Sequence, residues 1–254
     1  MDYKKIEKLY WDQGFVIIEN FFSQNEVNLM KCDFDNILDQ ARNFKSTSEY
    51  KKSVFVLDSN HSSEHPKIKR VNWCIEIAQY LKKFSSKPNL IKLIAKLLSS
   101  EQIEQIICQT HYKIPEDGVR YPWHQDTQKD KGVWKDKNGK GSFVLAMIAI
   151  DDCNKKNGAV KVIPKSHNYG TLNIETDQFN ETNHKKVLPL IKKYGIEYIE
   201  MNSGSVALMG PYTIHSSEEN MSKHSRRMLM SGYIFPGSQI REKNNKMNYR
   251  TLSI

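Results

Sequence analysis

After residue 100 the chain changes its period. The runs "IEQIICQTHYKI", "SFVLAMIAI", "GAVKVI", "KVLPLI", "YIEM", "SVALM" and "RRMLMSGYIF" follow one another, separated by Gly, Pro, Asn and Asp. Short apolar runs between turn-forming residues are the pattern of antiparallel strands, and a succession of them favours a sandwich or a jelly roll. The first hundred residues behave differently. Residues 2–12 read as an amphipathic helix with Ile6, Leu9 and Tyr10 on one face, ended by Gly14. "FVIIENFF" is expected to be a strand that ties the N-terminus to the sheet. Ser23 and Glu26 have capping-box spacing and open a helix to about residue 43, with Val27, Met30, Phe34, Ile37, Leu38 and Ala41 at helical intervals. The segment 46–66 is polar, with "SVFVL" as a short strand inside it. Residues 71–84 are expected to be helical. A further helix follows Pro88, carrying Leu90, Ile91, Ile94, Leu97 and Leu98 on one side. The expected architecture is one domain over 1–254, mainly β with flanking helices. The helices lie in 1–100, the β-core spans about 101–236, and a short tail covers 237–254.

A chain of 254 residues can bury a sizeable core, and 39% hydrophobic with 26% charged residues is ordinary for a soluble globular protein. No apolar run is long enough to span a bilayer, and the opening residues do not read as a signal peptide. The formal net charge is +9, but the lysines are dispersed, as in "KKFSSK" and "KDKNGKG". That distribution, without a recognisable nucleic-acid motif, predicts neither a nucleic-acid nor a membrane partner. It leaves a solvated basic surface or attraction for an acidic small molecule. Cys32, Cys74, Cys108 and Cys153 are widely spaced and form no CxxC pair, so a reducing, cytoplasmic setting is expected. The sequence does not disclose an oligomeric state.

The chemistry is sought in "YPWHQDT". His124 and Asp126 are two residues apart, which on an extended strand turns both side chains to the same side. An imidazole and a carboxylate suit iron(II), but a complete site needs a third ligand. His215, in "GPYTIHSS" after the β-run "SVALM", is the candidate. His111, His167, His184 and His224 are the alternatives. His184 and His224 sit in hydrophilic surroundings, His167 sits in a turn-like stretch, and His111 can face either the core or the site. Two histidines and one carboxylate would leave open positions on iron for a chelating α-keto acid and dioxygen. The far carboxylate of such a cosubstrate calls for an arginine fork. Arg226 opens the strand-like run after His215, and its neighbour Arg227 would point to the other face.

The set "WHQDT", "NGAVKVIPKSHNYG", "GSVALMGPYTIHSSEEN" and "SRRMLMSGYIF" resembles the phytanoyl-CoA dioxygenase-like family over roughly residues 8–236. The resemblance implies a double-stranded β-helix (a cupin-like jelly roll) and dependence on Fe(II), 2-oxoglutarate and O2. It implies His124, Asp126 and His215 as the iron ligands and Arg226 as the partner of the distal 2-oxoglutarate carboxylate. Thr127, Ser217, Gln109 and His111 match positions that line the cosubstrate or metal pocket in relatives. Halogenating relatives lack the carboxylate of Asp126, so hydroxylation of an unactivated C–H bond is expected, with release of succinate and carbon dioxide. Glycine often stands in the family where this chain has Lys165, which puts a long cation either at the site entrance or on the surface. Arg120, Tyr121, Trp123, Trp134 and Tyr112 are candidate substrate contacts, and Arg120 with Lys113 or Lys165 can hold an anion. A small anionic or zwitterionic substrate such as an amino acid or organophosphonate is expected. An acyl thioester, a lipid, or a non-catalytic binding module are the alternatives.

Overall fold

The computed structural model describes residues 1–115, 119–126, 143–172, 181–238 and 248–254. Helix α1 (Tyr3–Gln13) is capped by the Asp2 carboxylate, which accepts from the Lys5 amide at 3.0 Å. It stops at Gly14, which is left-handed at φ 88°. Gly14 is also needed for space: a Cβ there would lie 2.5 Å from His167 Nδ1 and 2.6 Å from Thr213 Oγ1. Strand β1 (Phe15–Ile18) follows, shorter than "FVIIENFF", because the chain turns before Phe21 and Phe22 pack into the core. The Ser23–Glu26 capping box opens α2 (Gln24–Ala41).

Next come β2 (Ser48–Tyr50), β3 (Ser53–Leu57) and β4 (Ile68–Asn72). The expected helix over 71–84 is corrected here. Residues 71 and 72 end a strand, Trp73 turns left-handed at φ 52°, and only α3 (Gln79–Phe84) is α-helical. Ile75, Ala78, Leu81 and Phe84 are all buried, so their helical spacing recorded burial rather than one continuous helix. The Ala78 side chain cannot cap α3. Instead the Asp33 carboxylate reaches across from α2 and accepts from the amides of Tyr80 (2.7 Å) and Leu81 (2.9 Å). Helix α4 (Pro88–Leu97) has proline in its first turn and buries Leu90, Ile91, Leu93, Ile94 and Leu97.

The remaining strands are β5 (Gln102–Lys113), β6 (Tyr121–His124), β7 (Phe143–Ala149), β8 (Val160–Val162), β9 (Glu197–Tyr198), β10 (Val206–Met209), β11 (His215–Ser217), β12 (Arg226–Ile234) and β13 (Arg250–Ser253). "KVLPLI" is not a strand. It belongs to helix α5 (Glu181–Tyr194), with Pro189 inside it and Val187 and Leu190 buried three residues apart on one face. The C-terminal stretch is not simply a tail either, since β13 pairs with the start of β5.

Nine strands form a large antiparallel sheet in the order β1-β10-β7-β12-β5-β4-β3-β2, with β13 on β5. Four form a smaller sheet, β6-β11-β8-β9. These two antiparallel sheets make a jelly roll, mainly β with helices outside. The helices pack on one face of the large sheet, in a cluster that includes Phe34, Phe55, Leu81, Leu90, Ile94 and Tyr233. A second apolar cluster, including Phe143, Met147, Val162, Ile199 and Met228, draws on strands of both sheets.

Candidate metal and cosubstrate site

Strands β6 and β11 pair antiparallel, with His124 opposite His215 and Ser217 opposite Tyr121. Two steps on β11 thus match three on β6. The extra residue is a bulge, and it brings Tyr121 and His124 to the same side. Each histidine is oriented by its own strand. His124 Nδ1 donates to the Pro122 carbonyl at 2.8 Å and His215 Nδ1 to the Thr213 carbonyl at 3.0 Å. Those bonds fix the tautomer and leave both Nε2 atoms as lone-pair donors. The two rings are 4.0 Å apart between centroids, and His215 Nε2 is 4.0 Å from Asp126 Oδ2. One ligand atom from each of His124, Asp126 and His215 falls within 4.8 Å of the others. This donor set fits a single divalent ion with open coordination positions. Burial, then the neighbouring His215 ring, pushes His124 down to about 4, so its nitrogen is unprotonated and ready for a metal at neutral pH.

Register brings a second group to this space from the large sheet. Arg70 lies opposite His111, Asn72 opposite Gln109, Met228 opposite His111, and Arg226 opposite Lys113. Directly paired residues share a face. Arg226 is 5% exposed. Its Nη1 touches Met228 Sδ at 3.6 Å, and its Nε is sealed from solvent without a hydrogen-bond partner. Among the described residues no carboxylate meets it. His111 Nε2, Arg70 Nε and Asn72 Oδ1 are likewise sealed, with no partner among the described residues. Burial pushes His111 down to about 3, helped by the charges of Arg70, Arg226 and Lys113. Lys113 Nζ donates to Ser217 Oγ at 2.9 Å and to the Glu218 carbonyl, linking β5 to the ligand-bearing β11.

Arg227 shows the opposite behaviour, as its position in the strand predicts. Its Nε and Nη2 grip the Asp151 carboxylate at 2.8 and 3.0 Å, and its Nη1 reaches Asp35 at 2.7 Å.

The other expected site residues divide. Gln109, His111, Ser217 and Tyr121 join the interior; the Tyr121 and His111 ring centroids are 6.4 Å apart. Arg120 is exposed just before β6. Thr127 and Trp134, with the 128–142 insertion, lie outside the described residues. Tyr112 is a correction: it faces the helices, 5% exposed, and its hydroxyl donates to the Phe34 carbonyl at 2.9 Å. It alternates with His111 and so cannot share the interior. Trp123 also turns away from His124 and packs against the cluster beneath α5, with Lys161 over its ring. His167 Nε2 bonds the Trp11 carbonyl at 2.8 Å and holds a loop, and His224 is exposed. Lys165 is exposed and left-handed at φ 62°, a conformation that glycine adopts without strain. Sequence reasoning missed Arg70 and Asn72. The signal was their spacing of two in "KIKRVNW", which shows only once that segment is read as a strand.

A jelly roll whose small sheet presents two histidines, with a carboxylate just past the end of β6, is the scaffold of a non-haem iron oxygenase. The family model described as Phytanoyl-CoA dioxygenase (PhyH) matches residues 10–228. The chain belongs to this family and is an Fe(II)- and 2-oxoglutarate-dependent dioxygenase that uses O2. It is 26% identical over 234 residues to a probable alpha-ketoglutarate-dependent hypophosphite dioxygenase of Stutzerimonas stutzeri, covering 89% of this chain and 77% of that one. It is 24% identical to an L-proline trans-4-hydroxylase of Streptomyces griseoviridis, covering 65% of this chain and 67% of the relative. Among solved structures, EctD from S. alaskensis with bound Fe superposes with a TM-score of 0.74 at 18% identity, over 94% of this chain and 78% of that one. That likeness speaks for the fold. No described helix is long and apolar enough to cross a membrane.

Proposed function

We propose that the protein hydroxylates an unactivated C–H bond of a small anionic or zwitterionic metabolite. In this reading His124, Asp126 and His215 hold the iron, and Arg226 binds the distal carboxylate of 2-oxoglutarate. The observation that carries it is the Arg226 guanidinium, buried with no carboxylate against it among the described residues, near a convergent His-Asp-His set. A buried cation left alone is costly, and a bidentate carboxylate is the partner that relieves it. Iron, 2-oxoglutarate and dioxygen, when bound, supply the oxidising chemistry, with succinate and carbon dioxide as coproducts. The chain's own residues do the rest. The two histidines offer their Nε2 atoms, Asp126 offsets metal charge, and Gln109, His111 and Ser217 border the cosubstrate. Tyr121 walls the space.

The anionic preference is supported by Arg70. Metal dication, Asp126, a dianionic cosubstrate and Arg226 sum to zero charge, so Arg70 adds a cation to the same interior. The hypophosphite and proline named for two relatives are small and charged, which supports the same preference. We further read the chain as one domain over 1–254. On the free state of all four cysteines we read it as cytoplasmic, and on its dispersed lysines as having neither a nucleic-acid nor a membrane partner.

Asp126→Ala and His215→Ala should each eliminate iron binding and succinate release while the far-ultraviolet circular dichroism stays that of the wild type. Succinate release that survives in both variants would remove the triad assignment. Screening amino acids, phosphonates and phosphorus oxyanions for coupled consumption of O2 and 2-oxoglutarate tests the substrate class. Coupling found only with neutral lipids or acyl thioesters would overturn the anionic preference.

A further inference from the structure

We propose that Gln125, between the two ligands of "HQD", is a positioning residue that sets how far the carboxylate of Asp126 stands from His215. The inference rests on reading His124, Asp126 and His215 as the metal site. As the residue between two inward-facing side chains, Gln125 points outward, where a polar residue is ordinarily solvated. Instead it is 3% exposed. Its amide is fully used: Nε2 donates to the carbonyls of Tyr212 (2.6 Å) and Gly170 (2.8 Å), and Oε1 accepts from the Leu172 amide (2.8 Å).

Those partners belong to two other segments. Tyr212 lies three residues before His215, in a stretch also pinned by Thr213 Oγ1 on the Gly14 carbonyl (2.7 Å) and by Ser166 Oγ on the Ile214 amide (2.9 Å). Gly170 and Leu172 follow the turn at Ser166–Tyr169. Position matters here because β6 ends at His124, and its ladder with β11 pairs no residue beyond the two histidines. Asp126 is past that end. The Gln125 amide is a side-chain tie that carries the register of the two strands forward to the third ligand. A buried amide with every donor and acceptor engaged holds its backbone rigidly, and outer groups that orient ligands tune metal affinity.

The test compares Gln125→Met, which keeps length and loses all three bonds, with Gln125→Glu, which keeps only the bond from the Leu172 amide. Metal-free protein is titrated with Co(II), followed by its visible absorption, and melted in parallel. Gln125→Met should bind Co(II) about 10–100-fold more weakly, with an altered band shape, and Gln125→Glu, which sets a carboxylate oxygen against the Tyr212 and Gly170 carbonyls, should weaken binding at least as much. A purely structural role would lower the melting temperature of the metal-free protein while leaving Co(II) affinity and band shape intact, and that result overturns the proposal. Asp126→Ala serves as the reference. If it too leaves Co(II) affinity unchanged, the triad reading fails and the inference falls with it. If only the Gln125 variants are silent, the inference alone fails.

Discussion

The two faces of β5 present opposite chemistry from neighbouring residues. Toward the helices, Tyr112 bonds the Phe34 carbonyl, Thr110 Oγ1 accepts from the Val71 amide at 3.1 Å, and apolar side chains fill the space between. Toward the small sheet, Gln109, His111 and Lys113 meet Arg70, Asn72 and Arg226, and four of the polar atoms there are sealed without partners among the described residues. A satisfied face stabilises the fold. An unsatisfied one is a cost that a ligand removes. Arg226 and Arg227 state the contrast within two residues of one strand.

The comparison can be broken most forcefully from the helix side. Phe34 is fully buried, so Phe34→Ala should cost about 3–5 kcal/mol in denaturant unfolding. The fraction that stays folded should keep its 2-oxoglutarate affinity; a loss of affinity matching the loss of stability would show that the faces are not independent. Next in size is the arginine pair. Arg226→Met should weaken 2-oxoglutarate binding at least about 30-fold, the lower end for deleting one member of a buried charge pair. It should also leave the metal-free protein as stable as before or more so. Arg227→Met should do the reverse, costing about 1–3 kcal/mol of stability through the lost Asp151 and Asp35 bonds and sparing the cosubstrate. Equal effects of the two changes on cosubstrate affinity would erase the distinction.

A smaller effect follows from His111. Burial, with the cations around it, lowers its pKa to about 3 in the folded chain, against about 6.5 when unfolded. Only the unfolded chain takes up this proton across that window. The contribution to stability is therefore full above about pH 6.5 and is lost progressively as pH falls toward 3. In metal-free protein, His111→Gln should flatten the fall in melting temperature between pH 6.5 and 4; an unchanged slope would mean that His111 titrates alike in both states. The smallest effect belongs to the surface. Lys165→Gly relieves a left-handed backbone and should raise stability by about 1 kcal/mol, with turnover unchanged. A drop in turnover would return Lys165 to the site.

The site was legible in the sequence where chemistry depends on spacing along one strand. His124 and Asp126 at i and i+2, and the split of Arg226 from Arg227, needed only the period of a strand. The Ser23–Glu26 box and Gly14 were legible because caps are local. Arg70 and Asn72 were hidden by the run from Val71 to Phe84, whose apolar residues recur at helical intervals although the left-handed Trp73 divides it. Helix α5 was hidden because "KVLPLI" is a short apolar run of the kind a strand shows, and its Pro189 argues against a helix interior. The partners of Gln125 lie 45, 47 and 87 residues away, a distance at which no pattern within the chain can announce a bond.

The end of α1 is bound to the neighbourhood of the third histidine by four contacts. The Gln13 carbonyl accepts from the Lys165 amide, the Trp11 carbonyl from His167, and the Gly14 carbonyl from both the Gly210 amide and the Thr213 hydroxyl. The opening helix thus works as a buttress for residues two hundred positions downstream. Trimming the chain to Phe15, which removes no ligand and no strand, should cost the protein its hold on iron.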